Sequence, residues 1–470
     1  KSVQPNAIIV FSYVGYKSQE FFAGKDLLKV AMQEDTKLID ELVVIGYGAV
    51  KKNDLTGSVS SLKSKDFNKG VVSSPTDLIQ GRVSGVSITT NGGEPGAGVS
   101  VRVRGANSIR SGQEPLYVVD GIPLDVTDVQ PTGGTTSGVG STSAKNPLNF
   151  LNPDDIESID VLKDASATAI YGSRGANGVV IVTTKKGKEG KSQVTYSAYA
   201  GVSELPQKYD VLTAAEYNAA RTTLGLAADD QGYSTDWQDQ IFRSAFTKNH
   251  NLSFSGGNKT STFRASLGYM NQEGIIKKTG MEKLSGRLNV STKTLNDKLT
   301  IDASITAART NDQRAPLGET GGVEGDLLLS ALKLNPTYPV YNADGTFYQV
   351  SDQVRNPLAM IELTDDNTQT DRLLGNLTGT LNLFKGFNYK INLSVNETKA
   401  TRKVTQDALL SYATDKGTAT ISNLEMGSSM MENYFTYNLE LNQKHKFNFL
   451  LGHSFQKFRI FSYSLYETGF

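Results

Sequence analysis

From residue 191 to the end of this 470-residue chain, apolar and polar side chains alternate with a period of two. Phe263, Ala265, Leu267 and Tyr269 alternate with Thr262, Arg264, Ser266 and Gly268. Leu284, Gly286, Leu288 and Val290 alternate with Lys283, Ser285, Arg287 and Asn289. The pattern returns in Leu299–Ala307, Phe387–Val395 and Phe435–Leu441, and more weakly at 193–203, 249–256, 372–383 and 446–456. Side chains on a strand point alternately to its two faces, so this periodicity predicts nine strands, each with one apolar face.

A soluble sandwich alternates too, and two further features separate it from a membrane barrel. The polar face is charged and amide-rich along whole strands, as the wall of a water-filled lumen is. The connections also alternate in length: short at Gly257–Thr260, Lys293–Asp297, Phe384–Phe387 and Gln443–Lys446, long at 204–248, 313–370 and 400–430. Short turns on one side and long loops on the other mark an outer-membrane β-barrel. Leu288 and Leu393 are then expected to face lipid, and Asn289 and Asn392 the lumen. Tyr196, Tyr269, Tyr434 and Tyr466, near strand ends, are expected to form an interfacial girdle. No apolar run approaches the ~20 residues a helix needs to span a bilayer, which leaves a barrel untouched.

The 48 basic and 48 acidic side chains balance, which argues against a nucleic-acid binder. With no cysteine and only three histidines, the chain has no disulfide framework, no thiol nucleophile and no His-rich metal site. No cofactor is expected. P-loop, HExxH and G-x-S-x-G patterns are missing, so no enzyme chemistry is expected either.

Upstream of the alternating run the chain divides into three. Residues 1–35 read as the end of a small β-sandwich, with Ala7–Val14 and Phe21–Val30 as strands. Residues 36–52 hold Leu42, Val43, Val44, Ile45, Gly46 and Tyr47, a short β-prone stretch preceded by Asp40-Glu41 and followed by Lys51-Lys52. It is either an ordinary edge strand or a segment offered to a partner by strand addition, in which main-chain bonds supply the affinity. Residues 53–190 mix short strands, glycine-rich turns and short helical pieces, with a predicted hairpin turn at Asp120-Gly121 and a helix start at Pro153-Asp154-Asp155. Arg-Gly-Ala-Asn occurs twice, so Arg104 and Arg174 are candidates for pinning this domain to carboxylates of the barrel wall. Nine strands is odd, whereas single-chain bacterial barrels are even-numbered. An enclosed domain of this size also needs a wide barrel, and plugged lumens have about 22 strands. The chain is therefore expected to hold less than half of its barrel, with any targeting signal missing.

These residues resemble the SusC/RagA family of TonB-dependent outer-membrane transporters over nearly the whole chain. Ala7–Glu20 is similar to the end of the carboxypeptidase-regulatory-like domain of such proteins, and Leu38–Gly48 with Lys51-Lys52 to the TonB box. The most specific matches, Pro115–Pro123 (PLYVVDGIP) and Asn152–Gly187, fall in the plug. The resemblance implies an α+β plug in 53–190 and the first part of a transmembrane barrel in 191–470. It implies import of glycan fragments, or less often peptides, under a SusD-like surface lipoprotein, with TonB–ExbB–ExbD supplying energy. A dimer of such pairs is compatible with it.

Candidate ligand contacts are weaker. Trp237, in the first long loop, either stacks on a sugar or packs the loop. Tyr338, Tyr341 and Tyr348, in the second, are candidates for contact with substrate or the lipoprotein. Arg264, Lys283, Arg287 and Asp302 on polar faces fit lumen solvation or plug docking better than ligand contact. The alternative reading is a passive or adhesive barrel, which has no use for a folded insert or an exposed Leu42–Tyr47 strand.

Overall fold

The computed structural model describes residues 8–11, 19–22, 30, 42–45, 48–51, 59–90, 92–105, 114–124, 131, 145–164, 168–317, 327–351, 354–413, 416–441 and 445–469. Two small antiparallel hairpins come first: β1 (Ile8–Phe11) with β2 (Gln19–Phe22), and β3 (Leu42–Ile45) with β4 (Gly48–Lys51). An inner domain follows, built from β5 (Val59–Lys63), β6 (Val86–Thr90), β7 (Val99–Val103), β8 (Leu116–Val119), β9 (Ile122–Pro123), β10 (Ile156–Leu162) and β11 (Val179–Thr184). Its main sheet has the order β5-β10-β11-β8-β9, with β8 and β11 parallel and the other pairs antiparallel, while β6 and β7 pair separately. Fully buried Val101, Val118, Val161 and Val182 show where its core lies. The Asp120-Gly121 turn between β8 and β9 has positive φ at both residues (48° and 87°), which matches strand twist and suits an Asp-Gly pair.

Nine strands complete the chain: β12 (Gly190–Ser203), β13 (Ala245–Gly257), β14 (Ser261–Glu273), β15 (Gly280–Thr294), β16 (Leu299–Arg314), β17 (Thr364–Phe384), β18 (Phe387–Gln406), β19 (Thr418–Leu441) and β20 (His445–Thr468). Each pairs antiparallel with the next in one continuous meander. Its two faces settle the choice between sandwich and membrane wall. Leu288 and Leu393 are 44% and 41% exposed on the outer face, while Asn289 and Asn392 are each 6% exposed on the inner one. Buried polar and exposed apolar side chains invert the pattern of a soluble protein, and a lipid-facing barrel is the structure in which that inversion is stable.

The third long connection is shorter than the sequence pattern implies, because β18 runs to Gln406 and β19 starts at Thr418. Strands of 20 and 24 residues exceed the ~9–11 that cross a bilayer. Their outer ends stand in water, so both faces turn polar there and the alternation fades while pairing continues. A row of paired charges marks the changeover. Arg309, Asp371, Lys399 and Glu425 are successive cross-strand partners, with Arg309 paired to Asp371 and Lys399 to Glu425.

The expected tyrosine girdle needs correction. Tyr196 and Tyr269 face outward, but Tyr434 is buried on the inner face, where Lys390 lies over its ring, and Tyr466 pairs with inward-facing Thr420. Parity, not proximity to a strand end, decides the face. An aromatic belt stands instead beside the short turns, where Phe384, Phe387, Phe435 and Tyr437 contact one another.

Short helices in the long connections form a cap on the opposite side: α1 (Ala214–Thr223), α2 (Trp237–Ile241), α3 (Leu327–Lys333) and α4 (Pro357–Glu362). The last three share an apolar core around Trp237, Ile241, Leu327, Met360, Leu410 and Tyr412.

Candidate functional site

The inner domain is fastened to the wall by buried polar contacts, and those contacts form the site. At the β8–β9 turn the Asp120 carboxylate accepts hydrogen bonds from the Thr184 backbone N–H and hydroxyl, both at 2.9 Å, and from the Arg287 guanidinium of β15. Arg287 also donates to Asn289 (3.1 Å) and to Thr306. Asn376 of β17 donates to the Asp120 carbonyl at 3.2 Å. One turn thus holds two wall strands directly, β15 and β17, and through Arg287 is linked to a third, β16.

The second fastening follows from the sequence Asn152-Pro153-Asp154-Asp155. Asn152 caps a single turn of 3-10 helix, accepting from the Asp154 N–H at 3.1 Å, and that turn aims Asp155 at β14. Asp155 takes Arg264 at 3.0 Å and the Ser266 hydroxyl at 2.6 Å. The Asn152 amide reaches Asn251 at 3.2 Å. Gly268 permits this approach, since a Cβ there would collide with the Asn152 amide.

Three wall or near-wall cations complete the set. Buried Lys283 donates to the Asn149, Leu151 and Ser73 carbonyls at 2.9, 3.2 and 3.4 Å. Arg372 donates to the Pro147 carbonyl at 2.7 Å, with its guanidinium 4.2 Å from the centre of the Phe150 ring. In the reverse sense, Lys145 of the inner domain lies 3.3 Å from Asp312 of β16 and 3.4 Å from Glu94. Removing one partner of a buried pair like these typically costs about 3–5 kcal/mol, because the other is left charged and dry. Both partners can, however, be rehydrated if the domain moves.

Comparison with known proteins agrees with this architecture. Residues 51–179 match the family model described as TonB-dependent Receptor Plug Domain. The TonB-dependent receptor SusC of Bacteroides thetaiotaomicron is 36% identical over 80% of this chain, and TonB-dependent receptor P3 of Formosa agariphila is 34% identical over 96%. The chain is similar to the SusC/RagA-like TonB-dependent receptors. It spans 38% of the length of SusC and 43% of P3, under half of each. In fold it is similar to the RagAB peptide importer in its "open-open" state, with a TM-score of 0.77 over 91% of this chain and 50% of that one, at 24% identity. The ferric citrate transporter FecA gives a TM-score of 0.53 over 88% of this chain and 49% of that one, at 13% identity. The nine-stranded wall is therefore part of an outer-membrane β-barrel, and the inner domain is its plug.

Within this SusC/RagA-like chain, the residues singled out from sequence fare differently. Leu42–Ile45 form β3, paired with β4 in a hairpin, while Gly46 and Tyr47 lie outside the described residues. Arg104 does not reach the wall: its guanidinium pairs with Asp164 of the plug, and its backbone takes positive φ (59°). Arg174 does cross to β20, but to the Gln456 amide at 2.8 Å and not to a carboxylate. The polarity of the seat is largely opposite to the expectation, with carboxylates on the plug and guanidiniums on the wall. Of the two roles expected for the polar-face residues, solvation or docking, Arg264, Lys283 and Arg287 contact the plug, while Asp302 lines a polar cavity. The anchoring roles of Asp120 and Asp155 were missed, although both stand where a turn or helix start projects a carboxylate.

The aromatic candidates are mostly cap structure. Trp237 is buried and its indole N–H donates to the Asn335 carbonyl at 3.0 Å, so it offers no face to a sugar. The Tyr338 hydroxyl donates to the Asp229 carboxylate at 2.9 Å, and its ring stands edge-on to Tyr348. Burial and that neighbouring carboxylate raise the Tyr338 phenol above its ordinary range. Tyr341, packed on Phe347, is about half exposed. Among the described residues, no three His, Cys, Asp or Glu side chains converge in a way that would hold a metal ion.

Proposed function

We propose that the full-length protein imports oligosaccharides or peptides across the outer membrane, driven by TonB with ExbB–ExbD and covered by a SusD-like surface lipoprotein. The observation that carries this reading is the polar seat of the plug: Asp120 with Arg287, Asp155 with Arg264 and Lys145 with Asp312. A seat of several buried ion pairs holds the lumen shut, so opening it takes work beyond what solute binding supplies. In this reading residues 1–35 are the end of a carboxypeptidase-regulatory-like domain, 36–52 hold the TonB box, 53–190 form the plug and 191–470 begin the barrel. The β3–β4 hairpin supports the TonB-box role, because β3 has already paired on one side and its other edge can take a partner strand. The printed names of the relatives, a TonB-dependent receptor SusC and a RagAB peptide importer, support the reading and leave glycan and peptide both open.

The test is genetic. In the full-length protein, Val44→Pro removes a ladder donor from β3, and deletion of 42–47 removes the segment. Solute binding to whole cells should persist while accumulation and growth on the solute cease. Normal growth of the deletion strain would overturn energised import and favour a passive barrel.

A further inference from the structure

Where the top of the plug meets the cap lies a partly open cavity of about 310 Å³. Its walls include Leu205, Phe242, Ile276, Leu317, Leu328 and Leu332, drawn from the first loop, the end of α2, the β14–β15 connection and α3. Three polar side chains at its wall have partners within the protein: Glu94 pairs with Lys145, the Thr279 hydroxyl donates to the Ile276 carbonyl, and Gln238 is bonded to a neighbouring loop. Gln238 spends both ends of its amide on the Tyr209 backbone, at 2.8 and 3.0 Å. A sugar ring placed there would bury hydroxyls with few partners, which is unfavourable, whereas an apolar side chain would leave water without loss. The volume stands at the lower end of ligand pockets, ~300–1,000 Å³, and suits one bulky side chain better than a whole oligosaccharide. A second cavity of about 270 Å³, nearer the short turns, is polar by contrast, lined by Asp120, Lys186, Asp302, Asn376 and Lys390.

One wall of the apolar cavity is the plug itself, at Gly93-Glu94. Glu94 is paired with Lys145, whose ammonium also donates to the Pro95 carbonyl at 2.7 Å and lies 3.3 Å from Asp312 of the wall. Two residues after Glu94, Gly96 has φ +67° and sits against Met281, whose sulfur a Cβ would meet at 2.6 Å. Anything filling the cavity therefore touches a plug segment that meets the wall two residues later, at Gly96.

We propose that this cavity receives an apolar or aromatic side chain of a peptide-like solute, and that its occupancy bears on the Glu94–Lys145–Asp312 contact. The proposal rests on the import reading and adds the chemical class of the solute. The test uses the full-length protein purified from the outer membrane with any lipoprotein that accompanies it. Leu332→Trp fills the cavity, and Leu328→Asn, at a position already 40% exposed, makes its wall polar without threatening the fold. Heat-modifiable migration on gels confirms that each variant retains its barrel. A tryptic digest of casein and a partial hydrolysate of starch serve as probes, and bound material is identified by mass spectrometry. The unaltered protein should retain casein peptides enriched in Leu, Ile and Phe, and each variant should bind the same peptides about tenfold more weakly, about 1.4 kcal/mol. Peptides retained without apolar enrichment, or equally by both variants, would overturn the proposal. So would retention of starch oligosaccharides alone, unaffected by either change. Failure of the import reading is read separately: accumulation that survives deletion of 42–47 removes energised transport and leaves the apolar binding site standing.

Discussion

Between plug and wall, Asp120 meets Arg287, Asp155 meets Arg264, and Lys283 meets three carbonyls. In the cap, Trp237 and Ile241 meet Leu327, Met360 and Leu410. Both interfaces are buried, but the first is mainly polar, with apolar contact from Ala308 and Leu374, and the second is apolar. An apolar core is held by exclusion of water and gains nothing when water enters. A seat of ion pairs loses little net free energy when its charges are rehydrated together, but loses much when one partner alone is taken away. The cap is thus built to stay assembled, and the plug seat to hold one position firmly and still be separable.

The largest effects should come from breaking either interface at its centre. Trp237→Ala should destabilise the cap by about 3–5 kcal/mol, seen as loop proteolysis at lower temperature, with the barrel still folded. Asp155→Ala should cost a similar amount, about 3–5 kcal/mol, but at the plug: small-solute leakage should rise while the cap resists protease as before. Equal protease sensitivity in the two variants would erase the distinction between the regions.

A second comparison concerns the wall's own faces. Leu288→Arg should cost about 2–4 kcal/mol in folding into lipid, if the position lies near the midplane. Ser291→Arg, which faces the polar inner cavity, should cost much less. Refolding titrations in lipid vesicles that gave equal costs would contradict the assignment of faces.

The smallest effect concerns the cap in alkali. Burial pushes the Tyr412 phenol up to about 12, with the nearby Arg355 guanidinium acting in the opposite direction. An unfolded tyrosine ionises near pH 10. Its contribution to cap stability is therefore complete below pH 10 and is lost as pH rises toward 12. Tyr412→Phe should flatten that dependence, measured by cap proteolysis across the range.

Much of this architecture is legible in the sequence where one local rule governs. The nine strands and the faces of Leu288, Asn289, Leu393 and Asn392 follow from parity alone. The Asp120-Gly121 turn follows from the positive φ it needs, and the short turns from their spacing. Where two distant segments must meet, the sequence is silent. Parity puts Arg264 on the polar inner face, but nothing local names Asp155 as its partner or keeps Arg104 within the plug. Trp237 shows the same limit, being buried by helices more than eighty residues away, whereas the inward turn of Tyr434 follows from its parity with Thr436. The length of β18 and β19 was hidden because polar residues on both faces imitate a loop.

The decisive point is that the plug is seated chiefly by exchangeable charge, with Ala308 and Leu374 of the wall joining its apolar core. It is tested most directly by the urea concentration, applied from the periplasmic side, at which the full-length protein in a planar bilayer begins to conduct. Asp155→Ala should open at lower urea than the unaltered protein. The paired change Asp155→Leu with Arg264→Met, which replaces the ion pair by apolar contact, should open at equal or higher urea and abolish solute accumulation in cells. Trp237→Phe should open where the unaltered protein does. Opening at one common urea concentration in all four proteins, with import intact in the paired variant, would contradict the account.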